Sequence, residues 1–333
     1  MKKLPAAMWP ATSCCWGETM EQHFIVAVKA IIPLFLLIGM GIFVRWQKML
    51  TDTELKHVNA MIFRVFFFCM MFYNMYTTTI ATALRPRLLV FTVSALFIVL
   101  LLSAVVVCTA EKDNRSRGAM LQALFRSNFV LLGMPLVENI FGPEALAVPT
   151  MMIAVVSPIY NSVSVFFLES FRGGGHFSLT ETLRTVLKNP MIVGAILGAF
   201  FMVTGITVPE PVLKPVRQIA SCTSPVALLI LGASFQFGTI SGEKRNLFIV
   251  VVGRLLVIPA LVLGTAYYMG FRGVDFVTLL CIFATPCAVA SFAMAQQLGS
   301  NAELAGNSVV LTSAFSSVTL FFWVMLFQML GVF

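Results

Sequence analysis

The sequence predicts an all-α integral membrane protein with ten transmembrane helices. Of its 333 residues, 59% are hydrophobic and 11% are charged, whereas soluble domains carry about 25% charged residues. The mean hydropathy is +0.94. A water-soluble fold of this size could not cover its surface with so few charges, so lipid is the solvent for most of the chain.

Ten apolar segments account for the predicted helices, since a membrane-spanning helix needs about 20 mostly apolar residues. They cover residues 24–44, 56–77, 88–108, 118–141, 147–168, 190–204, 220–238, 246–268, 275–298 and 305–333. The sixth segment is short, and the fourth and ninth are interrupted. The intervening loops are short and leave no room for a large soluble domain.

The polar stretches divide the chain into predicted domains. Residues 1–20 form a flexible tail, because Pro10 breaks their apolar stretch and they fit a signal peptide poorly. The longest polar stretch, 169–189, is the predicted cytosolic linker between two five-helix repeats, 21–168 and 190–333.

Basic residues predict the orientation in the membrane, because cytosolic loops retain Lys and Arg. With the N-terminus outside, eleven Lys and Arg fall in cytosolic loops and seven in external segments. We therefore predict a multi-pass inner-membrane protein with both termini non-cytosolic. The net charge of +8 does not indicate nucleic acid as a partner, since the basic residues form no long run.

Each interrupted segment carries a proline in mid-membrane, Pro135 in the fourth and Pro286 in the ninth. Proline removes a backbone donor and clashes with the preceding turn, and in lipid the freed carbonyls need partners from protein, ions or water. The two prolines are 151 residues apart, and neighbouring spans match at that offset to within seven residues. Five spans in each half make the halves inverted, and interruptions at matching positions indicate a transporter's substrate site. We therefore predict a 5+5 inverted repeat in which spans four and nine are broken and cross.

Several motifs resemble one family. Residues 127–136 (SNFVLLGMPL) resemble the fourth-helix motif of the auxin efflux carriers, and the similarity extends to Asn189-Pro190, 224–234 (SPVALLILGAS) and 291–297 (SFAMAQQ). The resemblance covers about residues 20–333 and is closer to bacterial malate or malonate transporters than to plant auxin carriers, which have a long central loop. It implies two helices that cross at the substrate site, with Asn128 and Pro135 as the polar residue and crossover proline of the fourth helix and Pro286 as the proline of the ninth.

The predicted site lies where the two half-helices begin after Pro135 and Pro286, because free N–H groups at a helix N-terminus bind anions. Asn128 shares a helix face with Pro135, two turns away, and Asn161 lies deep in span five. The alternative is that such polar groups merely form hydrogen bonds with the broken backbone. The candidate substrate-binding residues are Ser127, Asn128, Gly133, Pro135, Tyr160, Asn161, Thr285, Pro286 and Ser291.

Three arginines lie at one predicted depth. Arg64, Arg126 and Arg254 are each eight residues from the cytosolic start of a span, which is about 12 Å into the bilayer. Intramembrane charges usually face a cavity, although a long side chain also reaches the interface from this depth. Three at one depth favour a positively charged cytosolic vestibule for anions.

These patterns together predict a secondary carrier that moves small organic anions, such as malate, malonate or auxin-like carboxylates, by alternating access. A membrane channel and an intramembrane enzyme are the alternatives, but the sequence contains no HExxH, GxSxG or P-loop motif. No cofactor or metal is predicted, and proton or sodium coupling stays open. The predicted partners are the lipid bilayer and the anion, and a homodimer stays open.

Overall fold

A computed structural model of the chain describes residues 32–77, 85–172, 184, 187–235 and 242–333. These residues form twelve principal helices, with no β-strand in the described ranges. The helices are α1 Ile32–Trp46, α2 Asp52–Tyr76, α3 Pro86–Ala110, α4 Asn114–Phe125, α5 Phe129–Phe141, α6 Pro143–Ser170, α7 Pro190–Thr204, α8 Glu210–Ser234, α9 Lys244–Tyr268, α10 Gly273–Ala284, α11 Ala290–Gln297 and α12 Ala302–Met329. The predicted N-terminal tail and most of the predicted linker lie outside the described residues.

Within the described residues, six helices are long and apolar enough to cross a membrane, namely α2, α3, α6, α8, α9 and α12. The shortest of them has 25 residues, which corresponds to about 38 Å at 1.5 Å per residue, against a hydrocarbon core of about 30 Å. Helices α1, α5, α7 and α10 are shorter and also apolar. The all-helical fold predicted from the sequence is therefore confirmed for the described residues, and the six long apolar helices agree with a membrane-embedded chain.

Local sequence fixes several helix starts. Thr51 and Glu54 form a capping box at the start of α2, in which each side chain accepts a hydrogen bond from the other residue's backbone N–H. Asn189 caps α7 by accepting from the backbone N–H of Met191, with Pro190 at the first helical position. Asn301 caps α12 in the same way through the N–H of Leu304.

The helix lengths repeat along the chain. Helices α2, α3, α8 and α9 each have 25 residues, and α6 and α12 each have 28. Helices at matching positions start 158 or 159 residues apart. The difference is 158 for α1 and α7, α2 and α8, and α3 and α9, and it is 159 for α4 and α10 and for α6 and α12. The helix starts thus fit an offset of 158 or 159 better than the 151 inferred from the two prolines, and at an offset of 159 the position that corresponds to Pro286 is Ser127.

The predicted break at Pro286 is found, but the break predicted at Pro135 is not. The first interruption lies between Phe125 and Phe129, and the second lies between Ala284 and Ala290. Pro135 is inside α5, at the start of its α-helical part and directly after a π-helical turn, Phe129–Gly133. Proline is tolerated in the first turn of an α-helix because its missing N–H is not needed there, so α5 continues through it.

The two interruptions pair with each other. The backbone N–H of Asn128 donates to the Pro286 carbonyl over 2.8 Å, and that of Ala288 donates to the Arg126 carbonyl over 3.4 Å. These bonds flank an isolated antiparallel bridge between Ser127 and Cys287. The extended residues that separate α4 from α5 therefore lie directly against those that separate α10 from α11, within the buried core.

Candidate functional site

A small cavity of about 100 Å³ lies beside the paired interruptions. Its walls come from α2, α6 and α8 and from the first residues of α5 and α11. The polar residues that line it are Asn74, Arg126, Ser127, Asn128, Ser157, Tyr160, Asn161 and Ser224. One water molecule needs about 10–15 Å³ of such space, so the cavity has room for several waters or for a small organic anion.

Arg126 brings a positive charge to this cavity. Its side chain is buried, with 6% of the residue exposed, and its Nη1 donates to the sulfur of Met294. Among the described residues, no carboxylate lies within ion-pair distance of the guanidinium. A buried charge without a counter-charge is unfavourable by several kcal/mol, and an anion in the cavity would compensate it.

Asn128 adds a hydrogen-bond donor. Its backbone is held by the pairing with Pro286, while its side-chain Nδ2 is buried and has no hydrogen-bond partner among the described residues. A buried donor without a partner is rare in folded proteins and costs about 1–3 kcal/mol. A carboxylate bound in the cavity would satisfy it.

Helix α6 contributes the remaining predicted contacts. Ser127 Oγ donates to the hydroxyl of Tyr160 over 3.1 Å, and that hydroxyl donates to the carbonyl of Ile282 over 3.4 Å. Asn161 Nδ2 donates to the sulfur of Met71 over 2.7 Å, while its Oδ1 is buried without a partner among the described residues. Ser127, Tyr160 and Asn161 thus line the cavity and are held by protein contacts.

The N-terminal and the C-terminal helix ends at the interruptions have different surroundings. The first residues of α5 and α11 line the cavity, and the N–H groups in a first helical turn carry a partial positive charge. The last carbonyls of α4 and α10 instead accept hydrogen bonds from Arg254. The charge at the cavity wall is therefore positive from both the helix ends and Arg126.

Residues 26–324 match a family described as membrane transport proteins. The chain belongs to this family, that of the auxin efflux carriers. Family membership confirms the resemblance drawn from the motifs and makes the chain a multi-pass membrane transport protein.

Two archaeal proteins of the comparison are named only as uncharacterized transporters. The one from Methanocaldococcus jannaschii is 23% identical over 222 residues, which cover 64% of this chain and 68% of the relative. The one from Methanothermobacter thermautotrophicus is 23% identical over 202 residues, which cover 60% of this chain and 64% of the relative. The matched region thus spans about two thirds of each relative's length.

Five of the predicted residues lie away from the cavity wall. Pro286 is in the second interruption, where its carbonyl accepts the hydrogen bond from the backbone N–H of Asn128. Thr285 Oγ1 donates to the Cys281 carbonyl over 2.7 Å, and the fully buried Ser291 hydroxyl accepts from the Cys287 thiol over 3.5 Å. Gly133 packs against α10, where a Cβ atom would come within 2.7 Å of Cys281 Cβ. Pro135 lines a separate open groove of about 800 Å³ between α1, α5 and α8.

The three arginines were predicted to line one vestibule, but the structure places them in three different environments. Arg64 is exposed on α2, Arg126 lines the cavity, and Arg254 is fully buried against backbone carbonyls. Equal distance from a helix start does not determine which way a side chain points, because that depends on the helix face and its neighbours.

Two serines of the cavity wall were missed by the sequence analysis. Ser157 and Ser224 each come directly before a proline within an apolar helix, Pro158 in α6 and Pro225 in α8. Proline leaves a carbonyl of the preceding turn without its donor, so a polar residue beside a helical proline was the signal that could have indicated them.

Proposed function

We propose that this protein is a secondary active carrier of small organic anions in the cell inner membrane. Its substrates are carboxylates of the malate or malonate type or auxin-like anions, and it moves them by alternating access. The observation that carries the proposal is Arg126, a buried guanidinium that lines a small cavity and has no carboxylate partner among the described residues. The unpartnered Asn128 Nδ2 in the same cavity supports an anionic ligand.

The proposed architecture has ten spans in two inverted halves, 21–168 and 190–333. In each half the fourth span consists of two helices, α4 with α5 and α10 with α11. The repeated helix lengths support the two halves, and an odd number of spans in each half gives them opposite orientations.

Alternating access is supported by a second space beside the cavity. Leu131 and Ser224 line both the cavity and the more open groove near Pro135. With the termini outside, that groove lies on the external side. A polar pocket of about 660 Å³, lined by Lys56 and Arg115 as well as by three carboxylates, Asp52, Asp113 and Glu303, lies on the cytosolic side. The anion would pass between them through the cavity.

The proposal is tested with purified protein in proteoliposomes, by uptake of a panel of mono- and dicarboxylates with and without imposed proton or sodium gradients. Arg126→Gln should reduce anion affinity at least tenfold, because hydrogen bonds to charged groups contribute about 1.5–3 kcal/mol each. Arg217→Gln is the matched control, since Arg217 is an exposed residue of α8 and its loss changes net charge equally.

Saturable uptake that responds to a gradient and depends on Arg126 supports the carrier. Flux that does not saturate would instead indicate a channel, and chemical conversion of the anion would indicate an enzyme. Uptake with the same affinity in Arg126→Gln and in the unmodified protein would remove Arg126 from the site.

A further inference from the structure

Arg254 is the largest side chain that is fully buried in the described structure. It lies in a π-helical turn of α9, Gly253–Val257, and such turns often occur at functional sites. Gly253 lets α9 approach α4 closely, since a Cβ atom there would lie 2.6 Å from the side chain of Leu124. This approach brings the guanidinium to the first interruption.

The guanidinium of Arg254 contacts both interrupted segments. Toward α4, its Nη1 donates to the carbonyls of Leu124 over 3.1 Å and Phe125 over 3.4 Å. Toward α10, its Nε donates to the Thr285 carbonyl over 2.9 Å and its Nη2 to the Ile282 carbonyl over 3.1 Å. The last carbonyls of a helix have no intrahelical partner and carry partial negative charge, so one cation satisfies two helix ends.

We propose that Arg254 is a positioning residue, which holds the two interruptions in register so that the N-terminal ends of α5 and α11 face the cavity. It binds no substrate itself. The expected effect of Arg254 on anion affinity rests on the proposed function. The expected effect of Arg254 on the pairing of Ser127 with Cys287 does not.

The chemistry of the side chain supports this assignment. Arginine offers five N–H donors in a planar fork, and three of its nitrogens are used here on four carbonyls. Lysine has one nitrogen and could not reach both helices in this way. The repeat offset of 158 places Leu96 at the equivalent position of α3, so a single arginine serves both halves.

The pairing provides a direct reporter of register. Ser127 and Cys287 are flanked by the two inter-segment hydrogen bonds, and residues so placed in an antiparallel pair have Cα atoms about 4.5 Å apart. That distance falls within the disulfide range of about 4.4–6.8 Å. A Ser127→Cys variant should therefore cross-link to the native Cys287 when membranes are treated with a permeant thiol oxidant.

The test compares the rate of this cross-link in Arg254 and Arg254→Met backgrounds, with Cys287→Ser as the blank. We expect the rate to fall at least tenfold in Arg254→Met, and to fall also in Arg254→Lys, which keeps the charge. Arg217→Gln is the matched control, because it removes an arginine from the exposed face of α8 and should leave the rate within twofold.

An unchanged rate in membrane-inserted Arg254→Met or Arg254→Lys overturns the proposal, as does absence of the cross-link in the Arg254 background. If Arg254→Met fails to reach the membrane, the rate in Arg254→Lys decides. Arg254 variants that cross-link slowly should also show at least tenfold weaker anion uptake in proteoliposomes. If no anion is taken up by any variant, the proposed function fails while the cross-linking rates still decide the role of Arg254.

Discussion

Buried polar side chains beside the paired interruptions differ in how completely the protein satisfies them. Tyr160 and Ser127 are bonded to each other and to a backbone carbonyl, whereas the Nδ2 atom of Asn128 has no partner among the described residues. A buried group that the protein leaves unsatisfied does not stabilise the fold, and it is available to a ligand. Asn128 should therefore affect binding more than stability.

Asn128→Ala is expected to weaken anion affinity by about 10- to 150-fold, the equivalent of about 1.5–3 kcal/mol for a hydrogen bond to a charged group. The melting temperature of the detergent-solubilised protein should stay the same or rise, because no protein contact of the amide nitrogen is lost and an unsatisfied buried donor is removed. Binding is measured by isothermal titration and unfolding by a thermal melt. Gln218→Ala, an exposed amide on α8, is the control, and equal affinities in the two variants would contradict the role of Asn128.

At the scale of helices, the sequence predicted the interruption at Pro286 but misplaced the one in the fourth span. Proline is a local signal, and Pro286 interrupts its helix as proline normally does. The first interruption has no proline, and its residues pair with carbonyl and N–H groups about 160 residues away. Contacts of that kind, like the difference between Arg126 and Arg254, depend on tertiary structure and have no local signature.

Helices α1 and α8 show how small residues set the distance between elements. A Cβ atom on Gly41 would lie 2.0 Å from the Leu229 carbonyl, and one on Gly232 would lie 2.1 Å from that of Ile38. Such close backbone approach through glycine is a common way for membrane helices to associate. The contact matters for the site, because α1 and α8 also form the groove beside the cavity.

Gly41→Ala should therefore destabilise the protein by about 1–3 kcal/mol, the usual result of overpacking. Gly39 lies on the same helix with nothing within 4 Å of its Cβ position, and Gly39→Ala should be neutral or stabilising by about 0.5–1 kcal/mol. Thermal melts of the two variants in one detergent check the difference. Equal melting temperatures would show that the two helices separate without loss of stability.

At the scale of the whole molecule, a polar network joins elements from both parts of the chain. Asn246 Nδ2, at the start of α9, donates to Glu111 over 2.6 Å and to Glu243 over 2.8 Å. Asn301, at the start of α12, donates to Glu243 over 3.0 Å. Hydrogen bonds from the backbone N–H of Asp113, and further ones from Asn246 and Lys112, lower the pKa of the Glu111 carboxyl below its usual range.

A carboxyl whose pKa is lower in the folded state stabilises the fold above its unfolded pKa and loses that contribution as the pH falls through the folded value. Stability should therefore fall on acidification below about pH 5. In Glu111→Gln the melting temperature should fall less steeply with pH. Thermal melts between pH 7 and pH 3 give the measurement, with Glu210→Gln, an exposed carboxylate, as control. Identical pH profiles for the unmodified protein and Glu111→Gln would exclude Glu111 from this effect.

The long sequence separation between Arg254 and the carbonyls it contacts has a consequence for biosynthesis of the protein. The carbonyls of Leu124 and Phe125 accept hydrogen bonds from a residue about 130 positions later in the chain, and translation adds about 5–20 residues per second. For roughly ten seconds the end of α4 has been synthesised while the side chain that satisfies it has not. During that interval the ribosome-bound chain must keep these carbonyls in contact with water, the insertion machinery or other nascent helices. The end of α4 therefore acquires its final contacts only after α9 has entered the membrane.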